Sequence, residues 1–290
     1  MFKKGLTPII IVLIIALLVL GVIGGYWYFK NKSSKLNTVA TTTTTEELTT
    51  TTTTTTTTTN PKITTTTTKP KTTTTINQQK AKMFKCGDSI TFTYKGDLVT
   101  YGTVESQGRC WLDRNLGASR VATAHNDSLA YGDLFQWGRL DDGHQDRNSE
   151  TITTLSSADT PGHSNFIMNQ DFPYDWRSPQ NNNLWQGVNG INNPCPLGWR
   201  IPTTAEWDTE RLSWSQQNYI GAFASPLKLT AAGYRFYGNA SLGNVGSIGN
   251  YWGNTTMGGA SAYVLCFYGS NADVYDGARA GGFSVRCLKD

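Results

Sequence analysis

The chain has 290 residues and a formal net charge of +4 at pH 7. That positive excess sits entirely in the first 85 residues: from Cys86 onward 14 Lys and Arg face 19 Asp and Glu, a balance of −5. The balance argues against the basic face that a nucleic-acid-binding domain carries. Pro8 to Phe29, PIIIVLIIALLVLGVIGGYWYF, is an uncharged apolar run of the length that crosses a bilayer, with Tyr26, Trp27 and Tyr28 at its far end, where amphipathic rings favour the membrane interface. Lys3 and Lys4 precede it and Lys30, Lys32 and Lys35 follow, so charge alone leaves the orientation open. No small-residue cleavage site follows, and residues 1–35 are therefore expected to form a cytoplasmic tail and a retained transmembrane helix.

Residues 36–85 are expected to form a disordered stalk. The tract is dominated by threonine, unbroken from Thr49 to Thr59, and has almost nothing apolar with which to offset the entropy of folding. Thr-rich segments punctuated by proline, here Pro61 and Pro70, read as spacers and are often O-glycosylated. From Thr41 to Lys85 a free coil would span about 35–40 Å, and a polyproline-like one roughly 140 Å. A spacer followed by a cysteine-bearing head belongs outside the cell, so the expected localisation is the cell membrane, single-pass, with the C-terminal domain extracellular and the helix in contact with lipid.

Residues 86–290 are long enough for one domain with a sizeable core. In chain order, SITFTYKG, TYGTVES and RCWLDRN read as strands. Asp127 to Arg139, DSLAYGDLFQWGR, reads as a helix offering Leu129, Leu134, Phe135 and Trp137 to the core. Asp141 to Pro194 is a long Asn, Asp, Pro and Gly-rich loop that Trp176 and Trp185 are placed to pin down. PTTAEWDTERLSW reads as a second helix, with Thr203 or Thr204 as N-cap, Glu206 in its first turn, and Trp207, Leu212 and Trp214 as apolar positions. PLKLTAAGYRFYG, YVLCFYG, ADVYDG and FSVRC read as further strands, which makes the class α+β and loop-rich. Trp111, Trp137, Trp199 and Trp207 are expected in the core, and Arg200, Glu206 and Arg286 as ion-pair partners within the fold.

Outside the cell paired cysteines become disulfides. Four cysteines permit three connectivities; Cys86 and Cys110 bracket the first hairpin, and Cys195 and Cys287 would tie the start of the second helix to the last strand. Zinc is not expected, because there is no C-x-x-C or H-E-x-x-H and only His125, His144 and His163. The acids Asp141, Asp142 and Asp146, and the pair Asp127 and Asp133, are solvated loop acids or structural calcium ligands. No Ser-His-Asp or Cys-His arrangement suggests catalysis, and no cofactor is expected.

GRCWLDRNLG, YGDLFQWGR, NNPCPLGWRIPTTAEW, LKLTAAGYR, GSIGNYWGNT and GFSVRC, in this order, resemble the motifs of the Fibrobacter succinogenes major paralogous domain, over essentially all of residues 86–290. The resemblance implies a C-type-lectin-like fold close to the formylglycine-generating-enzyme type: a twisted antiparallel sheet, two helices, long loops, and paired N- and C-terminal strands. It also implies a surface ligand-binding or adhesion module acting on a protein or glycan of another cell or virus. The calcium-binding tripeptides of sugar-binding relatives, E-P-N or Q-P-D and W-N-D, are absent. A surface enzyme of the formylglycine-generating type and a structural envelope protein are the alternatives.

The binding face is expected at the C-terminal hairpin. If Tyr263, Leu265 and Phe267 face the core, then Val264, Cys266 and Tyr268 face outward; beyond the turn Val274 points in and Asp273 and Tyr275 out. With Asn271, Arg279 and the approaching Tyr251 and Asn254, this set has the Tyr and Asn character of antibody paratopes. The resemblance extends to variable proteins of diversity-generating retroelements, in which adenine-directed mutation of an AAC codon yields these residue types, so that Cys266 reads as a sampled residue. The alternative is a half-buried thiol acting as a small hydrophobe.

Overall fold

Two tight hairpins start the domain. In the computed structural model, which describes residues 83–259 and 261–290, β1 (Ile90–Tyr94) and β2 (Asp97–Tyr101) are joined by Lys95 and Gly96. The next pair, β3 (Thr103–Ser106) and β4 (Arg109–Leu112), is joined by Gln107 and Gly108. All four linking residues have positive φ (53°, 85°, 50° and 68°), the backbone of the two-residue turn whose twist matches that of its strands. The expected cytoplasmic tail, membrane helix and nearly all of the stalk lie outside the described residues. Among the described residues no helix is long and apolar enough to cross a membrane. Phe84, at the end of the expected stalk, already packs edge-on against Trp199, at 5.9 Å.

The helix expected over Asp127–Arg139 does not form. A single 3-10 turn, Ser128–Ala130, is capped by the Asp127 carboxylate, and the chain then extends into β5 (Phe135–Gln136). Gly132, at φ +69°, cannot continue a helix, and a Cβ there would lie 2.4 Å from the Leu116 carbonyl oxygen. Leu134, Phe135 and Trp137 are nevertheless buried as expected, whereas Leu129 is exposed.

The long loop contains the two-residue parallel pair β6 (Thr151–Ile152) and β7 (Phe166–Ile167) and an isolated parallel bridge between Ser156 and Arg177. Its order comes from side chains. Trp176 donates its indole N–H to the Trp137 carbonyl at 2.7 Å, and Trp185 donates to that of Asn192 at 2.8 Å, both rings fully buried. Arg139, also buried, bonds Asp142 (2.7 Å) and the carbonyls of Asn165 (2.9 Å) and His163 (3.0 Å). His144 Nε2 accepts the Gln136 backbone N–H at 3.0 Å, so Nδ1 carries the proton and donates to Asp142 at 2.6 Å.

After β8 (Trp199–Arg200), helix α1 (Thr204–Leu212) begins with a reciprocal capping box: Thr203 Oγ1 accepts the Glu206 N–H, and the Glu206 carboxylate accepts that of Thr203. Arg200 forks onto the same carboxylate with two 2.8 Å bonds, the expected ion pair. Of the three apolar positions, Trp207 and Trp214 are buried and Leu212 is exposed. A second short helix that the sequence reading did not locate, α2 (Tyr219–Ala224), is capped by Asn218.

The remaining strands are β9 (Tyr234–Arg235), β10 (Leu242–Gly243), β11 (Gly249–Met257), β12 (Ser261–Phe267), β13 (Ala272–Ala278), β14 (Gly282–Phe283) and β15 (Leu288–Lys289). Most pairings are antiparallel, with strand orders β11-β12-β13, β10-β9-β14-β5 and β3-β4-β15-β8, in an α+β fold. The last strand thus lies between β4 and β8, pairing Leu288 with both Trp111 and Arg200. The β11-β12-β13 sheet is covered on both sides. Tyr251, Leu265 and Phe267 pack with Trp207, Trp214 and α2, while Trp252 and Val264 pack with Trp137 and Val285. Val264, expected to face outward, is therefore in the core, and Tyr263 is only half-buried. Trp111, Trp137, Trp199 and Trp207 are core residues as expected. Arg286 is not in an ion pair: it is buried and bonds Asn115 Oδ1 (2.9 Å) and the carbonyls of Leu227 (2.8 Å) and Leu112 (3.2 Å).

Disulfides join Cys86 to Cys110 and Cys195 to Cys287, spanning 24 and 92 residues. In the chain-entropy treatment, removing the longer bridge with Ala at both positions should lower unfolding free energy by about 4–5 kcal/mol, and the shorter by about 3–4. Denaturant titration under oxidising conditions measures both, and the reverse ranking would contradict the loop-length argument.

Burial, and then the Arg139 charge, push the His144 imidazole down to about 4 against the pull of Asp142. An unfolded His binds its proton near pH 6.5, so between pH 6.5 and 4 the unfolded state holds more protons and stability falls as pH falls. His144→Gln should lower the melting temperature at pH 7 but remove part of its decline across that window. A variant declining as steeply as the parent would show that other groups carry the dependence.

Candidate ligand-binding face

The register of the C-terminal sheet decides which side chains share a surface. Cys266 lies opposite Asp273, and Val264 opposite Tyr275, so these four project to one side. Toward Val264 that side is closed by Trp252 and Phe283, whose rings are 4.5 Å apart. Toward the turn it opens. Tyr275 is 42% exposed, the Asp273 side chain 51%, and Cys266, Tyr268 and Asn271 are half-buried. The turn is fixed by a 2.9 Å bond from the Tyr268 N–H to the Asn271 carbonyl, and Asn271 Nδ2 donates to the Tyr275 hydroxyl at 2.9 Å. The Tyr268 carbonyl accepts the Tyr219 N–H at 3.1 Å, which anchors the turn to α2. Asp273 accepts the Val274 N–H at 2.9 Å and lies 3.5 Å from Arg211 of α1. The result is a small surface of two phenols, an amide, a thiol and a carboxylate, held from behind by both helices.

Three residues expected on this surface are elsewhere. Tyr251 is fully buried; its hydroxyl accepts the Thr230 N–H (2.8 Å) and Asn115 Nδ2 (3.1 Å) and donates to the Thr230 carbonyl (3.0 Å). Asn254 is buried, its backbone N–H given to the Pro202 carbonyl at 2.8 Å and its carbonyl accepting Gln186 Nε2 at 2.8 Å. Arg279 is buried over the Trp137 ring, bonds Asn182 Oδ1 at 2.7 Å and lies 3.5 Å from Asp175. The reason is the second layer over β11 and the end of β13. The small residues Gly277, Ala278, Ala280, Gly281 and Gly282 around Arg279 were the available signal of close packing: a Cβ at Gly277 would meet Val264 at 2.6 Å and Phe283 at 2.8 Å.

The acids considered as calcium ligands are each taken by a neighbour. Arg120 forks onto Asp127 with two 3.0 Å bonds; Arg139 and His144 hold Asp142; Lys95 pairs with Asp133 and Asp146 and gives its backbone N–H to Asp141. Among the described residues no group of three or more His, Cys, Asp or Glu is placed to hold a metal ion.

Comparison of the chain with protein-family models, curated proteins and solved structures yields no match.

Cys266 is a free thiol, and burial pushes its pKa up to about 11. An activated nucleophile has the opposite shift. At pH 8 its thiolate population should be roughly a hundredfold below that of an unperturbed cysteine. Mass spectrometry of iodoacetamide labelling should show correspondingly slow modification that accelerates above pH 9; labelling at the rate of free cysteine would contradict this environment.

Proposed function

We propose that the protein is a membrane-anchored, stalked receptor or adhesin of the cell surface. Its head binds an extracellular ligand through the open end of the β12–β13 hairpin, using Cys266, Tyr268, Asn271, Asp273 and Tyr275. The observation that carries this reading is the exposure of Tyr275 and Asp273 beside Tyr268 on a turn braced by both helices. Tyrosine brings large contact area at small entropic cost, and a pre-ordered surface loses less freedom on binding. The apolar run Pro8–Phe29 and the threonine tract supply anchor and spacer in this reading. The two disulfides fit an oxidising exterior. The high thiol pKa favours binding over chemistry at Cys266.

The resemblance to the Fibrobacter succinogenes major paralogous domain extends the proposal: these exposed positions are ones an adenine-directed mutagenesis would vary, and Cys266 is a sampled residue. A nearby gene repeat differing from this one only at adenines supports that extension; a locus with neither the repeat nor a reverse transcriptase gene overturns it.

The test of the binding face is the full chain in detergent micelles, screened on arrays of extracellular proteins and glycans. Tyr268→Ala together with Tyr275→Ala should weaken capture of any hit about tenfold or more while moving the melting temperature by less than about 3 °C. Undiminished capture by the double variant would place recognition on another surface.

A further inference from the structure

A second surface, remote in sequence from the hairpin, carries exposed rings that the fold does not use. Phe172 is 77% exposed, and Tyr174 and Phe236 are exposed as well. With the half-buried Tyr237 they form one continuous row: Phe172 to Tyr174 at 6.0 Å, Tyr174 to Tyr237 at 5.3 Å, and Tyr237 to Phe236 at 4.4 Å. Contiguous exposed apolar surface of this kind marks an interaction site more often than isolated exposed residues do. The backbone holds the row in place: the Tyr174 carbonyl accepts the Ala280 N–H at 2.9 Å, and the Tyr237 carbonyl accepts that of Asn169 at 2.9 Å.

Phe172 also lines a cleft of about 380 Å³, where Leu155, Pro173 and Pro179 alternate with polar side chains, a volume within the range of small-ligand sites. The charges of that cleft are mostly spent. Arg177 is paired with Asp159 at 2.8 Å, and Asp175 lies against Arg279 at 3.5 Å and accepts Gln180 Nε2 at 3.0 Å. The Asp171 carboxylate and the Ser178 hydroxyl have no partner among the described residues. What remains is an aromatic row beside one free carboxylate and one free hydroxyl, with no unpaired cation to attract an anion.

We propose that this row and cleft bind a neutral saccharide, the rings packing on the C–H faces of the sugar and Asp171 accepting hydrogen bonds from its hydroxyls. Ring faces carry negative quadrupole density and favour polarised C–H groups, and a carboxylate accepts from two hydroxyls at once. A purely apolar partner would leave Asp171 desolvated and unpaired, and an anionic one would be repelled by it. The site needs no calcium and shares no residue with the hairpin face, so the two readings fail separately.

The full chain in detergent micelles, titrated with cellohexaose, maltohexaose, xylohexaose and mannohexaose and followed by calorimetry and saturation-transfer NMR, tests it. At least one hexasaccharide should bind with Kd at or below about 1 mM. Phe172→Ala and Asp171→Asn should each weaken that binding about tenfold or more with an unchanged melting temperature, and Phe172→Tyr should retain it. The Tyr268→Ala, Tyr275→Ala double variant should bind the sugar like the parent. Absence of binding to all four hexasaccharides overturns the proposal. So does undiminished binding by Phe172→Ala, or loss of sugar binding in the hairpin variant alone.

Discussion

The burial of the β11-β12-β13 sheet on both of its faces is the constraint from which the rest follows. Ala262, Val264, Leu265 and Phe267 are all buried, so a central antiparallel strand has no solvent face along most of its length. An antiparallel sheet commonly leaves one face wet; here Trp137, Phe283 and Val285 cover one side while Trp207, Trp214 and α2 cover the other. The second layer stops toward the turn between β12 and β13, where Asp273 and Tyr275 are exposed. That geometry concentrates the exposed Tyr, Asn and Asp side chains into one small patch and withholds Tyr251, Asn254 and Arg279 from it.

Arginines do in the loops what backbone ladders do in the sheets. Arg139, Arg279 and Arg286 are all fully buried and each reaches acceptors from several segments. A planar guanidinium with five donors suits that task, because one side chain satisfies several orphan carbonyls at once. Arg139 gathers the long loop, Arg286 ties the last strand to Leu112 and Leu227, and Arg279 fastens the loop near Asn182 beneath the cleft that Phe172 overhangs. Removing any of the three would leave buried polar atoms unmet, which is expensive in a water-free interior.

The Arg279 and Asp175 contact also connects the two surfaces. Arg279 closes β13, and its partner Asp175 lines the aromatic-edged cleft. Charges inside the fold are met by acids, as at Arg139 and Arg279, or by carbonyl and amide oxygens, as at Arg286.

The local signals were legible in the sequence wherever a rule acts over a few residues. The strands around Ile90–Tyr94, Thr103–Ser106 and Arg109–Leu112, the start of α1 with Glu206 in its first turn, and the four core tryptophans belong to this group, whereas the choice among three cysteine pairings was decided by the tertiary structure. The helix expected at Asp127–Arg139 failed because its apolar spacing fits a helix while Gly132 requires a left-handed backbone, and no local rule ranks the two. α2 is one and a half turns long and too short to leave a periodic mark. At the hairpin, the alternation placed Cys266, Asp273 and Tyr275 on one side, since strand period is a property of the chain itself. Whether that side is wet or dry depends on a second layer that combines Phe283 and Val285 with residues more than a hundred positions away, such as Phe135 and Trp137. For that reason only the tertiary structure decided that Val264, Tyr251 and Arg279 are core, and that Phe172 and Tyr174, unremarkable in a loop of mixed composition, stand exposed beside Tyr237.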